Sequence, residues 1–139
     1  RKATSAPPAT PEFEDFGECT ATAANGVSGY FRVDWFTPDG LRNWGDGRTF
    51  ITGTDGYIEL RKFIDLAVGE KRENMVYWAN RQGEFSTNAT GKVGCPFFGR
   101  LIRDCIDRTE TAMTQAHAFR AAELCLKAQQ MADQIITPR

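Results

Sequence analysis

A glycine-rich polar stretch, residues 37–48, holds most of the side chains that could act on a ligand. Its acidic, basic and amide side chains could hydrogen-bond hydroxyl groups, and its tryptophan could stack on a sugar-like ring. The alternative is a loop held together by internal Asp–Arg pairs and by a tryptophan that packs within the protein or at a subunit contact. The candidate substrate or interface residues are Asp39, Arg42, Trp44, Asp46 and Arg48, and Asn43 lies in the same stretch.

The sequence patterns that cradle phosphates are incomplete. Dinucleotide binding uses G-x-G-x-x-G between a strand and a helix, so that the backbone can approach the pyrophosphate. Gly45-Asp46-Gly47 begins this pattern, but Phe50 stands at the third glycine position. The sequence also does not match the phosphate-binding loop motif, because Gly91-Lys92 is followed by Val93 rather than by Ser or Thr. We therefore expect no nucleotide cofactor to bind within this chain.

Nucleophilic and metal chemistry have little support in the sequence. The single histidine, His117, falls in the opening turns of a predicted helix, and no serine lies in a G-x-S-x-G turn. The four cysteines, Cys19, Cys95, Cys105 and Cys125, are widely spaced and contain no C-x-x-C pair. We expect buried free thiols, no metal site and no catalytic residue.

Alternating apolar residues predict that strands position the polar loop. Tight turns are expected at Asn25-Gly26, around residues 54–56 and at Gln82-Gly83, since these residues tolerate positive φ. Residues 1–11 are rich in Pro, Ala and Thr and predict a linker or loop before a domain at 12–139. The predicted strands span residues 12–24, 29–36, 49–53, 57–63 and 75–79, with a weaker one near Phe85.

The hydrophobic period changes to a helical one after Pro96. Apolar residues at spacings of one, three and four predict a helix with Asp104 on its solvent side. A longer helix, capped by Thr114, is predicted to run to about Ile135. Strands followed by helices are typical of α+β proteins. We expect a mainly antiparallel open sheet, built from hairpins, with two C-terminal helices packed on one face.

Several predicted strands carry large residues on both sides. Tyr30 and Phe36 alternate with Phe31 and Trp35, for example. If helices cover only one face of the sheet, the other face should lie against a partner subunit or a neighbouring domain. The alternative is that these aromatic residues lie on a hydrated face.

Length and composition exclude several classes of protein. The chain has 139 residues, 41% hydrophobic and 25% charged, which fits one folded domain rather than a disordered chain. A net charge of −1 does not favour nucleic acid as a partner, and no apolar run is long enough for a membrane span. The lack of paired cysteines favours a cytoplasmic protein and leaves open an export signal upstream of Arg1. Because the sequence begins with Arg1, we expect a longer parent protein.

Two segments, residues 29–62 and 91–129, resemble the C-terminal domain of the glucose–fructose oxidoreductase and inositol dehydrogenase (Gfo/Idh/MocA) family. The most specific piece is the Gly53-Thr54-Asp55-Gly56 turn followed by Tyr57-Ile58-Glu59-Leu60. Each motif is moderately specific, and their order and spacing strengthen the match. The resemblance covers most of the chain from about Glu12 onward.

The resemblance implies a two-domain NAD(P)-dependent oxidoreductase. An N-terminal Rossmann domain, absent from this chain, would bind NAD or NADP. The present chain would cover the substrate site and build homo-oligomers through its sheet face. Substrates of the family are typically sugars, cyclitols and related polyols, which react by hydride transfer at a hydroxyl-bearing carbon.

The sequence departs from the family at its catalytic motifs. The family's catalytic lysine lies in Glu-Lys-Pro, whereas Glu70-Lys71-Arg72 lacks the proline. The family's Asp-x-x-x-His pair is also missing, because Met113 stands four residues before His117. No catalytic role is carried over, and we expect this chain to be inactive alone. The alternative is a non-catalytic binding or scaffolding module that self-associates through its sheet face.

Overall fold

The computed structural model describes residues 2–3, 13–67 and 73–135, which form eight strands and two helices. The chain divides into two compact units: unit 1 combines Arg1–Phe36 with Phe97–Arg139, and unit 2 is Thr37–Pro96. The elements are β1 (Lys2–Ala3), β2 (Phe16–Thr22), β3 (Ser28–Asp34), β4 (Gly47–Thr52), β5 (Gly56–Lys62), β6 (Met75–Asn80), β7 (Gly83–Asn88), α1 (Pro96–Asp107), α2 (Gln115–Gln130) and β8 (Gln134–Ile135).

The sheet of unit 1 has the strand order β3-β2-β1-β8. Strands β2 and β3 form an antiparallel hairpin, and β1 pairs antiparallel with β2 and parallel with β8. The hairpin turns at the predicted place, because Gly26 adopts φ +85° and donates its amide to the Ala23 carbonyl at 2.9 Å. This left-handed conformation suits glycine, which has no Cβ.

The β2–β3 hairpin carries large residues on both faces. The register pairs Cys19 with Phe31 and Thr20 with Tyr30, so Phe31 and Tyr30 lie on opposite faces. Both side chains are exposed, as are Val33 and Trp35. The predicted alternation is therefore confirmed, and in this chain neither face of β3 is fully covered.

The two helices begin where their capping residues predict. Pro96 opens α1, and the Thr114 hydroxyl accepts the His117 amide at 3.2 Å at the start of α2. The predicted end of α2 at Ile135 is wrong, because the helix stops at Gln130. Residues 134 and 135 instead form β8, whose pairing with β1 replaces continued helix. In the described part of the chain, no helix is long and apolar enough to span a membrane.

Unit 2 is a four-stranded antiparallel meander with the order β4-β5-β6-β7. One face carries an apolar cross-strand row, in which Trp78 and Phe85 stack with ring centroids 5.3 Å apart. Ile51 and Ile58 continue that row across β4 and β5. The opposite face, called the polar face below, carries Arg48, Glu59, Arg61 and Tyr77 with exposed Phe50 and Tyr57.

The turns of the meander lie close to neighbouring backbone and side chains. Gly56 opens β5, and a Cβ atom at this position would overlap the backbone carbonyl of Ala79. An exposed ion pair between Asp55 and Arg81 joins the β4–β5 and β6–β7 turns, with Nη2 and Oδ1 2.5 Å apart. Both hairpins predicted in this region, including the one at Gly83, are confirmed.

The predicted α+β class, with antiparallel hairpins followed by C-terminal helices, is confirmed. The strands form two sheets rather than one, because the polar loop that follows Phe36 separates the hairpin of unit 1 from the meander of unit 2. Within the predicted linker, residues 1–11, the structure describes Lys2–Ala3 as strand β1. The rest of that segment lies outside the described residues.

The described residues bury few apolar side chains. Only Ile64 and Met75 are buried hydrophobic residues there, while Phe98, Ile106 and Phe119 on the helices are each more than two-thirds exposed. The cysteines are free, but Cys95, Cys105 and Cys125 are exposed, which corrects the expectation that the thiols are buried.

Candidate functional site

The polar loop before β4 is a short series of turns. The Leu41 amide donates to the Pro38 carbonyl at 2.9 Å, and the Trp44 amide donates to the Asn43 side chain at 2.7 Å. The Trp44 side chain is 75% exposed. The tryptophan is therefore placed where another molecule could cover it.

Of the five candidate residues, the structure brings Asp46 and Arg48 into direct contact. The Arg48 Nε and Nη2 atoms both donate to Asp46 Oδ2, at 3.0 and 2.8 Å. Asp39 forms no ion pair with a residue that the structure describes, and the Arg42 side chain is exposed. The internal Asp–Arg pairing expected for the loop is thus present at its junction with β4.

Arg48 lies next to a cluster of charged side chains on the polar face. It lies directly opposite Arg61 in the β4–β5 register. Arg61 donates from Nε to Glu59 at 2.6 Å and from Nη1 to Asp65 at 2.8 Å. Its guanidinium also lies 5.5 Å from the centroid of the Tyr77 ring. The hydrogen bond to Glu59, with both nearby carboxylates, raises the Arg61 pKa despite partial burial.

Asp65 is the buried carboxylate of this cluster and accepts hydrogen bonds from several of its neighbours. Its side chain is 1% exposed, and it accepts the Tyr77 hydroxyl at 2.5 Å, the Arg61 guanidinium and the Ala67 amide. Burial alone would raise its pKa, but the Tyr77 and Ala67 hydrogen bonds together with the Arg61 charge lower it. Asp65 is therefore a buried carboxylate held in its charged form.

The chemistry of the polar face suits a polyhydroxylated molecule. Carboxylates accept hydrogen bonds from hydroxyl groups, and guanidinium groups donate to them. Phe50 and Tyr57, 65% and 50% exposed, add aromatic surface on the same face. No group of three His, Cys, Asp or Glu side chains that could hold a metal ion occurs among the residues described.

The incomplete cofactor motifs take other structural roles. Gly45-Asp46-Gly47 leads into strand β4 rather than into the helix that pyrophosphate binding uses. His117 is an exposed residue of α2, with its backbone amide on the helix cap. The segment Glu70-Lys71-Arg72 lies outside the described residues.

Unit 1 contains an open groove of about 340 Å³ between α2 and the β2–β3 hairpin. Gln129 on α2 donates to Glu14 at 2.6 Å across this groove. Cys125, Ala128 and Gln129 of α2 line one side of the groove. The lining residues are Glu14, Asp15, Phe16, Gly17, Glu18, Val33, Asp34, Trp35, Cys125, Ala128, Gln129 and Ala132.

The sequence interpretation missed the buried carboxylates. Asp104 was expected on the solvent side of α1, yet it is only 6% exposed because the chain after the helix folds back over it. Thr109 and Thr111 both donate their hydroxyls to Asp104 Oδ1, at 2.6 and 2.8 Å. The available signal was an acidic residue near a helix end followed by two threonines. Asp65, Arg61 and Tyr77 gave no comparable local signal.

Comparison with known proteins relates this chain to an oxidoreductase. It is similar to a protein from Erwinia carotovora atroseptica SCRI1043 whose crystal structure is named a "putative oxidoreductase", with 51% identity and a TM-score of 0.89. The match covers 98% of this chain and 40% of that chain. No protein-family model and no curated protein matches this chain.

The coverage shows how much of the other protein is similar to this chain. This chain spans about 40% of its length, so the similarity concerns an oxidoreductase-related domain. The high identity over nearly the whole chain also supports the α+β fold described above. The Gfo/Idh/MocA resemblance is not matched by a family model and belongs to the proposal that follows.

Proposed function

We propose that this chain is the C-terminal substrate-covering and oligomerisation domain of an NAD(P)-dependent oxidoreductase. The coenzyme, NAD or NADP, would bind an N-terminal Rossmann domain of the same protein. The substrate would be a sugar, cyclitol or related polyol that reacts by hydride transfer. Hydride transfer needs a bound nicotinamide held in register with the substrate.

The observation that carries the proposal is the 51% identity, over a match that covers 40% of the other chain, to the protein named a "putative oxidoreductase". The motifs that resemble the Gfo/Idh/MocA family agree with this relationship. The exposed apolar residues of α1, α2 and β3 add a physical argument, since these surfaces need a covering domain or subunit. The localisation that we propose is cytoplasmic.

Within this domain, the loop at 37–46 and the polar face would contact the substrate or a neighbouring subunit. Trp44 is exposed, and the Asp46–Arg48 pair lies at the junction of the loop with β4. Aromatic and charged side chains of this kind orient small polar molecules. The buried Asp65 holds Arg61 and Tyr77 of the same face in place through hydrogen bonds.

Steady-state kinetics of the full-length protein tests the proposal. Substrate oxidation is followed through nicotinamide absorbance with NAD or NADP and a panel of sugars and cyclitols. We expect turnover of at least one polyol by the full-length protein and none by the 139-residue chain. Trp44→Ala should raise KM or shift the oligomeric state, whereas Leu66→Ala, another exposed apolar position in unit 2, should do neither.

A self-associating scaffold is the alternative that the exposed apolar surfaces also favour. It predicts oligomers of the full-length protein without any coenzyme-dependent reaction. A Trp44→Ala variant with unchanged KM and unchanged assembly would remove the proposed role of the loop. An absence of polyol turnover by the full-length protein would remove the enzymatic proposal.

A further inference from the structure

The Asp46–Arg48 pair uses little of its hydrogen-bonding capacity. Arginine and carboxylate commonly form two parallel hydrogen bonds, one to each carboxylate oxygen. Here both Arg48 nitrogens, Nε and Nη2, donate to the same oxygen, Asp46 Oδ2. Within the described part of the chain, Asp46 Oδ1 and Arg48 Nη1 have no hydrogen-bond partner. The pair therefore presents one strong acceptor and one strong donor.

The position of the pair makes it accessible and ordered. The side chains of Arg48 and Asp46 are 43% and 27% exposed, so solvent and small molecules can reach them. Arg48 lies on strand β4, which is fixed by its pairing with β5. Side chains held by strands keep a more constant geometry than side chains on loops.

The β4–β5 register places Arg48 next to a second cationic side chain. Arg48 stands directly opposite Arg61, and like charges at paired positions of neighbouring strands destabilise a sheet. Arg61 is neutralised by Glu59 and Asp65, so Asp46 is the carboxylate that faces Arg48. Departures from local stability rules are expected where residues serve a function.

We propose that Asp46 and Arg48 form a specificity-determining pair that binds two adjacent hydroxyl groups of a polyol. One hydroxyl would donate to Asp46 Oδ1, and its neighbour would accept from Arg48 Nη1. The proposal takes its substrate class from the proposed function and assigns two residues to the recognition of that substrate. Trp44, two residues earlier in the chain, offers an exposed aromatic surface to the C–H groups of the same molecule.

The chemistry of adjacent hydroxyls fits this pair. Each hydroxyl can donate one hydrogen bond and accept others, whereas a carboxylate only accepts and a guanidinium only donates. A molecule that lacks one of the two hydroxyls would leave a charged group without its partner. A site built in this way binds the deoxy analogue more weakly, because water replaces only part of the lost hydrogen bonding at the charged pair.

Equilibrium binding to the full-length protein tests the proposal. Calorimetry would compare D-glucose, D-galactose, D-xylose and myo-inositol, each with a monodeoxy analogue, on the wild type and on two variants. Asp46→Asn removes the charged acceptor, and Arg48→Lys keeps the charge but removes the fork. For a polyol that binds, we expect each variant to raise Kd by about tenfold or more and to weaken discrimination against the deoxy analogue.

A matched control comes from the same unit. Asp55→Asn breaks the exposed pair with Arg81 at the turns of the meander, away from the polar loop in sequence. This variant should retain the wild-type Kd for every sugar. A similar loss of affinity in the control would mean that general disruption, rather than recognition, explains the effect and would overturn the proposal.

The outcomes separate this inference from the proposed function. If the full-length protein turns over a polyol and both Asp46→Asn and Arg48→Lys leave Kd and KM unchanged, the proposed recognition role of the pair is wrong and the proposed oxidoreductase function stands. If both variants weaken polyol binding but no nicotinamide-dependent turnover occurs, the recognition role stands and the oxidoreductase function is wrong. If no sugar in the panel binds, the recognition role is wrong.

Discussion

Of the three buried carboxylates among the described residues, Asp65 in unit 2 and Asp104 in unit 1 stabilise the chain in different ways. Asp65 in unit 2 faces a guanidinium and a phenol, Arg61 and Tyr77, on neighbouring strands. Asp104 in unit 1 faces the hydroxyls of Thr109 and Thr111 and two backbone amides in the connection between the helices. The first carboxylate neutralises a cation in a sheet, and the second satisfies neutral donors in a turn.

The hydrogen-bond partners of each carboxylate determine how much stability is lost when the carboxylate is removed. Both pKa values lie below the ordinary value for aspartate. For Asp104 the Thr109 hydroxyl contributes most, followed by the Ala112 and Thr111 amides. Neutral donors can find water after a local opening, whereas a partly buried guanidinium without its carboxylate keeps an uncompensated charge.

The largest effect is expected for Asp65→Asn. It leaves Arg61, whose side chain is only 23% exposed, with one carboxylate instead of two and weakens the bond with Tyr77. We expect a loss of about 3 kcal/mol in the free energy of unfolding, measured by urea denaturation. Asp39→Asn, at an exposed aspartate without an ion pair in the described chain, is the matched control. Equal stability of the two variants would show that the buried cluster is not what stabilises unit 2.

The next effect is expected for Gly56→Ala, again in unit 2. The added Cβ would meet the rigid backbone carbonyl of Ala79, so we expect a loss of about 2 kcal/mol. In unit 1, Gly29→Ala would meet only the far end of the Phe31 ring, which can rotate away. The Gly29 variant should therefore lose less than half as much stability. A larger loss for Gly29→Ala would reverse the expected ranking of the two hairpins.

The dependence on pH distinguishes the carboxylates from the other interactions. Because the folded-state pKa values of Asp65 and Asp104 lie below the ordinary aspartate value of 3.8, their contribution is complete well above that pH. It is lost as the pH falls through the lowered values. Urea denaturation at a series of acidic pH values should show falling stability, with a shallower fall in Asp104→Asn. A variant as acid-sensitive as the wild type would contradict the lowered pKa of Asp104.

The smallest effect is expected for the exposed Asp55–Arg81 pair. Its side chains are 69% and 84% exposed, and solvent screens most of their attraction. We expect Arg81→Met to change the free energy of unfolding by less than about 0.5 kcal/mol, and less still in high salt. A loss comparable to that of Asp65→Asn would show that the turns, rather than the buried cluster, hold the meander together.

Local signals in the sequence predicted much of the fold. The turns at Gly26 and Gly83 and the helix starts at Pro96 and Thr114 depend on residues close together in the sequence. These features can therefore be predicted from the sequence alone. The two-residue strands β1 and β8 have no periodicity to detect, and the division into two sheets depends on long-range pairing.

The candidate site was predictable only in part. The Asp46–Arg48 pair joins residues two positions apart, and its loop was identified from composition. The Asp65–Tyr77 contact joins residues twelve positions apart through a sheet register that the sequence does not specify locally. Asp104 looked solvent-facing because helical periodicity says nothing about a connection that folds back over the helix.

We propose that the coenzyme of the parent oxidoreductase binds outside this chain. Fluorescence titration with NADH and NADPH tests this directly, on the 139-residue chain and on the full-length protein side by side. We expect saturable binding to the full-length protein and no binding to the chain alone. Micromolar binding of either coenzyme to the isolated chain would contradict it.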